Sequence, residues 1–213
     1  FTVYFETRIM EKIYGKDYAD MLTVLGMGEL KETIKDLGDT SRDTHLYLEL
    51  DGRDPDDGMT DIAYEKGRFF LTTIESEVGR EKWDAFLKAY FTEHSFHSMT
   101  TVEFLDILDK KLLSQFPGLK EKLRIQEWVY GPGIPSNCIK ITSGELDKAN
   151  ATADAFMKGT PAKSLNTTGW TTHHWLQFFR ELSDSLTTEQ MKDLDATFHF
   201  TQSGNSEILC EWL

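Results

Sequence analysis

The chain has 213 residues, 39% of them hydrophobic and 28% charged, and a formal net charge of −13 at pH 7. This is the composition of a folded protein of one large or two small domains, long enough to bury a core. The acidic balance excludes a nucleic-acid partner that needs a basic stripe, and no apolar run approaches the length of a membrane span. Two cysteines, Cys138 and Cys210, lie far apart, without a CxxC, and suit a reducing, cytoplasmic compartment.

In chain order, residues 1–14 read as an amphipathic helix with Phe1, Phe5, Ile9 and Ile13 on one face. Gly15 closes it. A second helix covers 17–37, with Tyr18, Met21, Leu22 and Leu25 on one face and Gly26 and Gly28 as expected interruptions. Thr44–Leu50 alternates, which predicts a short extended segment burying Leu46, Leu48 and Leu50. The stretch Asp54-Pro-Asp-Asp-Gly58 has turn composition. A helix follows, with Thr60 as N-cap and Phe70, Ile74 and Val78 as its apolar series, ending at Gly79.

Residues 81–94 carry a core stripe of Trp83, Phe86, Leu87, Tyr90 and Phe91. Thr100 and Glu103 form a capping box ahead of Val102, Leu105, Leu108 and Leu112. Pro117-Gly118 breaks that helix, and a short one follows to about Gln126. Residues 128–136, rich in Pro and Gly, read as a linker pinned by Trp128 and Tyr130. Beyond it lie shorter helices near 145–158, 172–186, after a Thr187/Gln190 capping box, and from Asn205. Successive short helices suggest a bundle or α-solenoid.

Tyr64 and Glu65 fall in the first two turns of their helix, beside the acidic loop. A tyrosine near the positive end of a helix can donate a hydrogen bond to a developing oxyanion. A surface loop capping a structural helix accounts for the same residues. The six histidines have no metal-site spacing and read as structural. Asp54, Asp56 and Asp57 lack the register of an EF-hand. No phosphate-binding loop, nucleophile elbow or dinucleotide fingerprint occurs, and the sequons at Asn150 and Asn166 are read as chance.

Three stretches carry a resemblance. Phe1-Thr-Val-Tyr-Phe-Glu6 resembles the sequence after the W-L-N-E-G signature of gluzincin zinc aminopeptidases. Asp54-Pro-Asp56 with Ala63-Tyr-Glu-Lys-Gly67 resembles their D-P-D…P-Y-E-K-G segment. Trp128-Val-Tyr-Gly-Pro-Gly-Ile-Pro135 resembles the W-L-Y-x-P-G-x-P junction of the leukotriene hydrolase and aminopeptidase B branch. Leu22–Leu30 and Asn205–Ile208 are also similar to that branch.

The resemblance implies a mainly α fold: the helical half of a thermolysin-like catalytic domain over 1–131, then an incomplete α-helical, armadillo-like α-α superhelix over 132–213. It implies a fragment of an enzyme that hydrolyses N-terminal residues from peptides. The zinc of the parent enzyme would be held by residues before Phe1, none of it by this chain, and the fragment alone would be inactive. The missing N-terminal catalytic half and a peptide substrate are the expected partners, with no nucleic acid and no membrane.

By the same resemblance Tyr64 stabilises the tetrahedral oxyanion or donates a proton, and Asp56 lines the substrate channel. Leu46, Leu48, Pro55, Gly58 and Met59 form its wall. Glu6 is either a hydrogen-bond partner of a zinc ligand or a solvated or core-bound carboxylate. Ala63 replaces the usual proline, and Met59 stands where the leukotriene hydrolase branch often has a second tyrosine. That favours peptidase over epoxide hydrolase activity. A non-enzymatic helical interaction scaffold is the alternative reading.

Overall fold

The computed structural model describes residues 1–182 and 186–213. The chain forms two compact units, Phe1–Ile141 and Thr142–Leu213, and no strand occurs among the described residues.

The first unit opens with α1 (Thr2–Tyr14) and α2 (Lys16–Leu37). Gly15 separates them at φ 92°, a left-handed conformation that a side chain would strain. The predicted Phe1/Phe5/Ile9/Ile13 face of α1 meets the core only at its start, where Phe5 is half-buried against it and Phe1 stacks on Tyr90. Ile9 and Ile13 are 56% and 63% exposed, whereas Tyr4 is buried. The spacing identified an apolar stripe correctly but not what covers it. Tyr4 wins the core because its phenol has a partner there: its O–H donates to Glu75 Oε2 at 2.6 Å.

Gly26 and Gly28 do not interrupt α2, which runs unbroken through both. At Gly26 the helix packs too closely on the Glu65 and Arg68 side chains to admit a Cβ.

Thr44–Leu50 is not a strand. A 3₁₀ turn, Arg42–Thr44, leads into an irregular run. Leu46, Leu48 and Leu50 are half-buried while Tyr47 and Glu49 are exposed, so the alternation is real. Tyr47 N donates to Val129 O at 3.0 Å, and its ring lies 5.4 Å from that of Tyr130. After a second 3₁₀ turn, Pro55–Gly58, come a π-helical turn, Ile62–Lys66, and α3 (Gly67–Val78). The residues that follow form α4 (Arg80–Glu93), α5 (Thr101–Lys111), α6 (Leu119–Leu123) and α7 (Ile125–Tyr130). The Thr100/Glu103 capping box opens α5 as predicted.

Trp83 and Trp128 anchor the core, both wholly buried. Trp83 stacks on Phe86 at 5.3 Å and Trp128 packs on Phe70 at 5.6 Å. Trp128 therefore belongs to a helix in the core, not to a linker crossing the surface; irregular backbone starts only at Gly131. Its indole N–H donates to Asn137 Oδ1 at 3.2 Å, and Asn137 Nδ2 donates to Leu123 O at 3.0 Å.

The second unit holds α8 (Gly144–Met157), α9 (Thr172–Glu181), α10 (Thr188–Phe198) and α11 (Ser206–Trp212). The helix predicted over 172–186 ends at Glu181, where Leu182 is extended, and Leu186 is not helical; residues 183–185 lie outside the described residues. Its core is aromatic, with Trp170–Trp175 at 4.6 Å, Phe179–Phe200 at 4.8 Å and Phe200–Trp212 at 5.1 Å between ring centroids. Buried His174 is structural: its Nδ1 accepts from Thr171 N at 3.1 Å and caps α9. Thr187 and Gln190 cap α10 reciprocally, and Asn205 caps α11, as the sequence predicts.

Candidate functional site

The site is built on the turn Ile62–Lys66. Gly67 N–H reaches back to Ile62 O, closing a π-turn, and also to Tyr64 O. A π-turn carries one more residue than an α-turn. Three of its five side chains face inward, Ile62, Glu65 and Lys66, while Ala63 and Tyr64 face out. Tyr64 is 43% exposed.

Each inward side chain has its own anchor. Ile62 is wholly buried in the apolar core. Glu65 pairs with Arg68, whose Nε lies 2.9 Å from Glu65 Oε2. Arg68 Nη2 also bonds that oxygen and reaches Thr23 O at 3.4 Å, and the guanidinium lies 4.1 Å from the Phe69 ring centroid. This pair occupies the volume that a side chain at residue 26 would take. A Cβ on Gly26 would meet the Glu65 carboxylate and come within 2.6 Å of Arg68 Nη2.

Lys66 is wholly buried and donates to Thr44 O at 2.7 Å and to Gly131 O at 2.8 Å. Burial lowers its pKa from 10.5 to about 8.

The acidic loop is shaped locally. Asp54 accepts from Asp56 N at 3.0 Å, and Pro55 takes the first position of the 3₁₀ turn. Arg53 bridges Asp43 (Nη1–Oδ1 2.5 Å) and Asp57 (Nε–Oδ2 3.7 Å). The Arg53 hydrogen bond holds the Asp43 carboxyl below the usual range. Thr33 Oγ1 donates to Asp61 at 2.9 Å, tying α2 to the start of the turn. Thr60 Oγ1 accepts from Ile62 N at 3.4 Å, a weak version of the expected cap.

Leu46, Leu48, Pro55, Asp56, Gly58, Met59 and Tyr64 thus lie on one continuous segment. A Cβ on Gly58 would come within 3.1 Å of both Leu48 and Leu50, so the acidic loop sits directly on that run. One on Gly67 would lie 3.9 Å from Leu46 Cδ2. A cavity of about 270 Å³ opens beside Leu46, Ala63 and Gly67, with Phe1, Met99 and Phe104 among its other walls. Pro55, Asp56 and Met59 are exposed, Gly58 is half-buried, and Glu6 is exposed on α1.

Among the described residues no group of three or more His, Cys, Asp or Glu could hold a metal ion, so the residues present do not fit a zinc site. Sequence reasoning read Gly26 only as an interruption of α2 and assigned no role to Arg68 or Lys66. The signal available for Lys66 was its place two residues after Tyr64, roughly opposite it on a helical wheel.

A family model described as Peptidase family M1 domain matches residues 1–127, and one described as Leukotriene A4 hydrolase, C-terminal, matches residues 170–213. A leucine aminopeptidase 2 of Pyricularia oryzae is 31% identical over 97% of this chain and 35% of its own length. A leukotriene A-4 hydrolase homolog of Botryotinia fuckeliana is 29% identical over 97% of this chain and 33% of its own. The chain therefore spans about a third of the length of the curated relatives it matches. The solved structure of yeast LTA4 hydrolase with bestatin shares the fold, with a TM-score of 0.83 at 22% identity over 99% of this chain and 38% of that one. With more than half of its residues matched by that family's model, this chain belongs to peptidase family M1.

Proposed function

We propose that the protein carrying this chain is a zinc-dependent aminopeptidase that hydrolyses N-terminal residues from peptides, and that this chain supplies Tyr64 and part of the substrate channel. Zinc supplies water activation in such an enzyme. The residues described here do not form its site, so the chemistry assigned to this chain is confined to its own groups. In this reading residues 1–131 are the helical part of the catalytic domain and 132–213 belong to the C-terminal helical domain. The two free cysteines suit a reducing compartment and support a cytoplasmic location. Among the described residues no helix is long and apolar enough to cross a membrane.

The observation that carries the reading is the direction of Tyr64. Its phenol faces out from a turn whose Ile62, Glu65 and Lys66 side chains are locked inward. When water adds to a peptide carbonyl the oxygen becomes an oxyanion. A preorganised O–H aimed at that position stabilises the transition state more than the substrate. Leu46, Leu48, Pro55, Gly58 and Met59 are assigned to the channel wall, with Asp56 at its edge. Exposed Glu6 on α1 is assigned as a hydrogen-bond partner to a ligand of the metal. Met59 and Ala63, standing where the branch often has tyrosine and proline, favour peptide hydrolysis over epoxide opening.

In the full-length enzyme, Tyr64→Phe is expected to lower kcat about 10²–10³-fold, the cost of one oxyanion donor. Bound zinc, measured by elemental analysis, should be unchanged. An unaltered kcat would remove Tyr64 from the mechanism.

A further inference from the structure

We propose that Lys66 is the positioning residue for Tyr64: its ammonium, on the opposite side of the same π-turn, fastens that turn to the carbonyls of Thr44 and Gly131 and so sets where the phenol points. The proposal rests on the reading of Tyr64 given above.

Lys66 is wholly buried, and no carboxylate pairs with it among the described residues. Its two acceptors come from segments 22 residues before it and 65 after it. Burying an ammonium costs several kcal/mol unless its donors are satisfied, so a lysine is a poor choice if filling volume were the whole task. An apolar side chain of similar length would fill the same space at less cost. What the ammonium adds is direction, because two N–H bonds fix one atom against two carbonyls.

The clamp is braced from both sides. Thr44 Oγ1 donates to Ser41 O at 2.7 Å and accepts from Gly133 N at 2.9 Å. Three stretches therefore meet at one cation: the 3₁₀ turn before Leu46 and Leu48, the Tyr64 turn, and the Gly131–Gly133 junction. The proposed channel wall and the proposed oxyanion donor are held in one frame.

The turn needs such a frame. Its extra residue is retained only while surrounding contacts oppose relaxation to an ordinary α-helix. Relaxation would move side chains on one side of the turn by about one residue's rotation, roughly 100°. A misplacement of about 1 Å at a reacting group can cost about 10²-fold in rate.

The test is a double-mutant cycle in the full-length enzyme, using an aminoacyl p-nitroanilide as substrate and elemental zinc as a control. Lys66→Met is expected to lower kcat at least about tenfold, with KM changed less than about twofold and zinc retained. In the Tyr64→Phe background the same substitution should lower kcat less than about twofold, because the group it positions has gone. An equal cost of Lys66→Met in both backgrounds would overturn the positioning role and leave the assignment of Tyr64 intact. No effect of Tyr64→Phe alone would overturn that assignment, and this proposal with it. If Lys66→Met does not fold, Lys66→Gln, which keeps a donor for one of the carbonyls, is put through the same cycle under the same criteria.

Discussion

Two glycines in α2, two residues apart, should respond to alanine with opposite signs. At an ordinary helical position Gly→Ala stabilises by about 1 kcal/mol, through helix propensity and a less mobile unfolded chain. Gly28 is such a position: among the described residues nothing lies within 4 Å of an added Cβ. At Gly26 the added methyl would fall on the Glu65 carboxylate and the Arg68 guanidinium. Those side chains are 11% and 2% exposed. Their pair has no slack, since Arg68 Nη1 is already buried without a hydrogen-bond partner among the described residues. Breaking a buried ion pair costs about 3–5 kcal/mol, which exceeds the propensity gain and leaves a net loss of about 2–4 kcal/mol. With a urea slope of about 2 kcal/mol/M, the midpoint for the first unit should fall by about 1–2 M in Gly26→Ala. It should rise slightly in Gly28→Ala. Urea titration followed by circular dichroism measures both. If Gly26→Ala matched Gly28→Ala or exceeded the parent, the close approach of Glu65 to α2 would be wrong, and with it one of the three anchors of the Tyr64 turn.

The other predictions concern stability. The Lys66 pKa is lowered on folding, from 10.5 to about 8, so the unfolded chain binds the extra proton between those values and stability rises with pH across that window. Relative to Lys66→Met, the parent should gain up to about 3 kcal/mol from pH 8 to pH 10.5; a pH-independent difference would mean that the site is wet. The charged neighbour to control for is half-buried His45, whose pKa is lowered by burial and then by Lys66 and Arg42. Tyr4→Phe removes a buried donor to Glu75 and should cost about 1.5–3 kcal/mol in the same urea assay, where a neutral result would mean the phenol is hydrated instead. Replacing Ile9 and Ile13 together with serine should change stability by no more than about 0.5 kcal/mol, whereas a loss of several would restore the apolar stripe of α1 to the core.

Much of this architecture was legible because local signals and tertiary packing agree. The Thr100/Glu103 and Thr187/Gln190 capping boxes mark real helix starts, as the oxygen of a short side chain at that spacing meets free backbone N–H groups whatever the context. The 81–94 stripe puts Trp83, Phe86, Leu87 and Tyr90 into the core. Periodicity fails along part of α1, because apolar spacing cannot say which side chain meets a partner such as Glu75. It fails again at Trp128. The Gly and Pro residues there suggest a surface linker, but they begin only after the helix that buries the indole. The motif around Tyr64 was legible as a resemblance. The contacts that hold it were not, since they join residues distant in sequence: Gly26 with Glu65, and Lys66 with Thr44 and Gly131.

Those illegible contacts share one feature. Each breaks a local rule: a glycine inside a continuous helix, a π-turn at the head of an ordinary helix and, among the described residues, a buried arginine with an idle nitrogen and a buried ammonium with no carboxylate. Taken singly, each lowers stability. All four converge on the five residues that present Tyr64, and a protein selected for stability alone would have little reason to keep them together. A turn that only capped α3 would need none of them, since a serine or aspartate at its N-cap satisfies the same backbone groups. The concentration of cost at one turn is therefore an argument for work done there, independent of any family likeness. In the reading proposed for Tyr64, the outward-facing phenol is the group for which the rest is arranged.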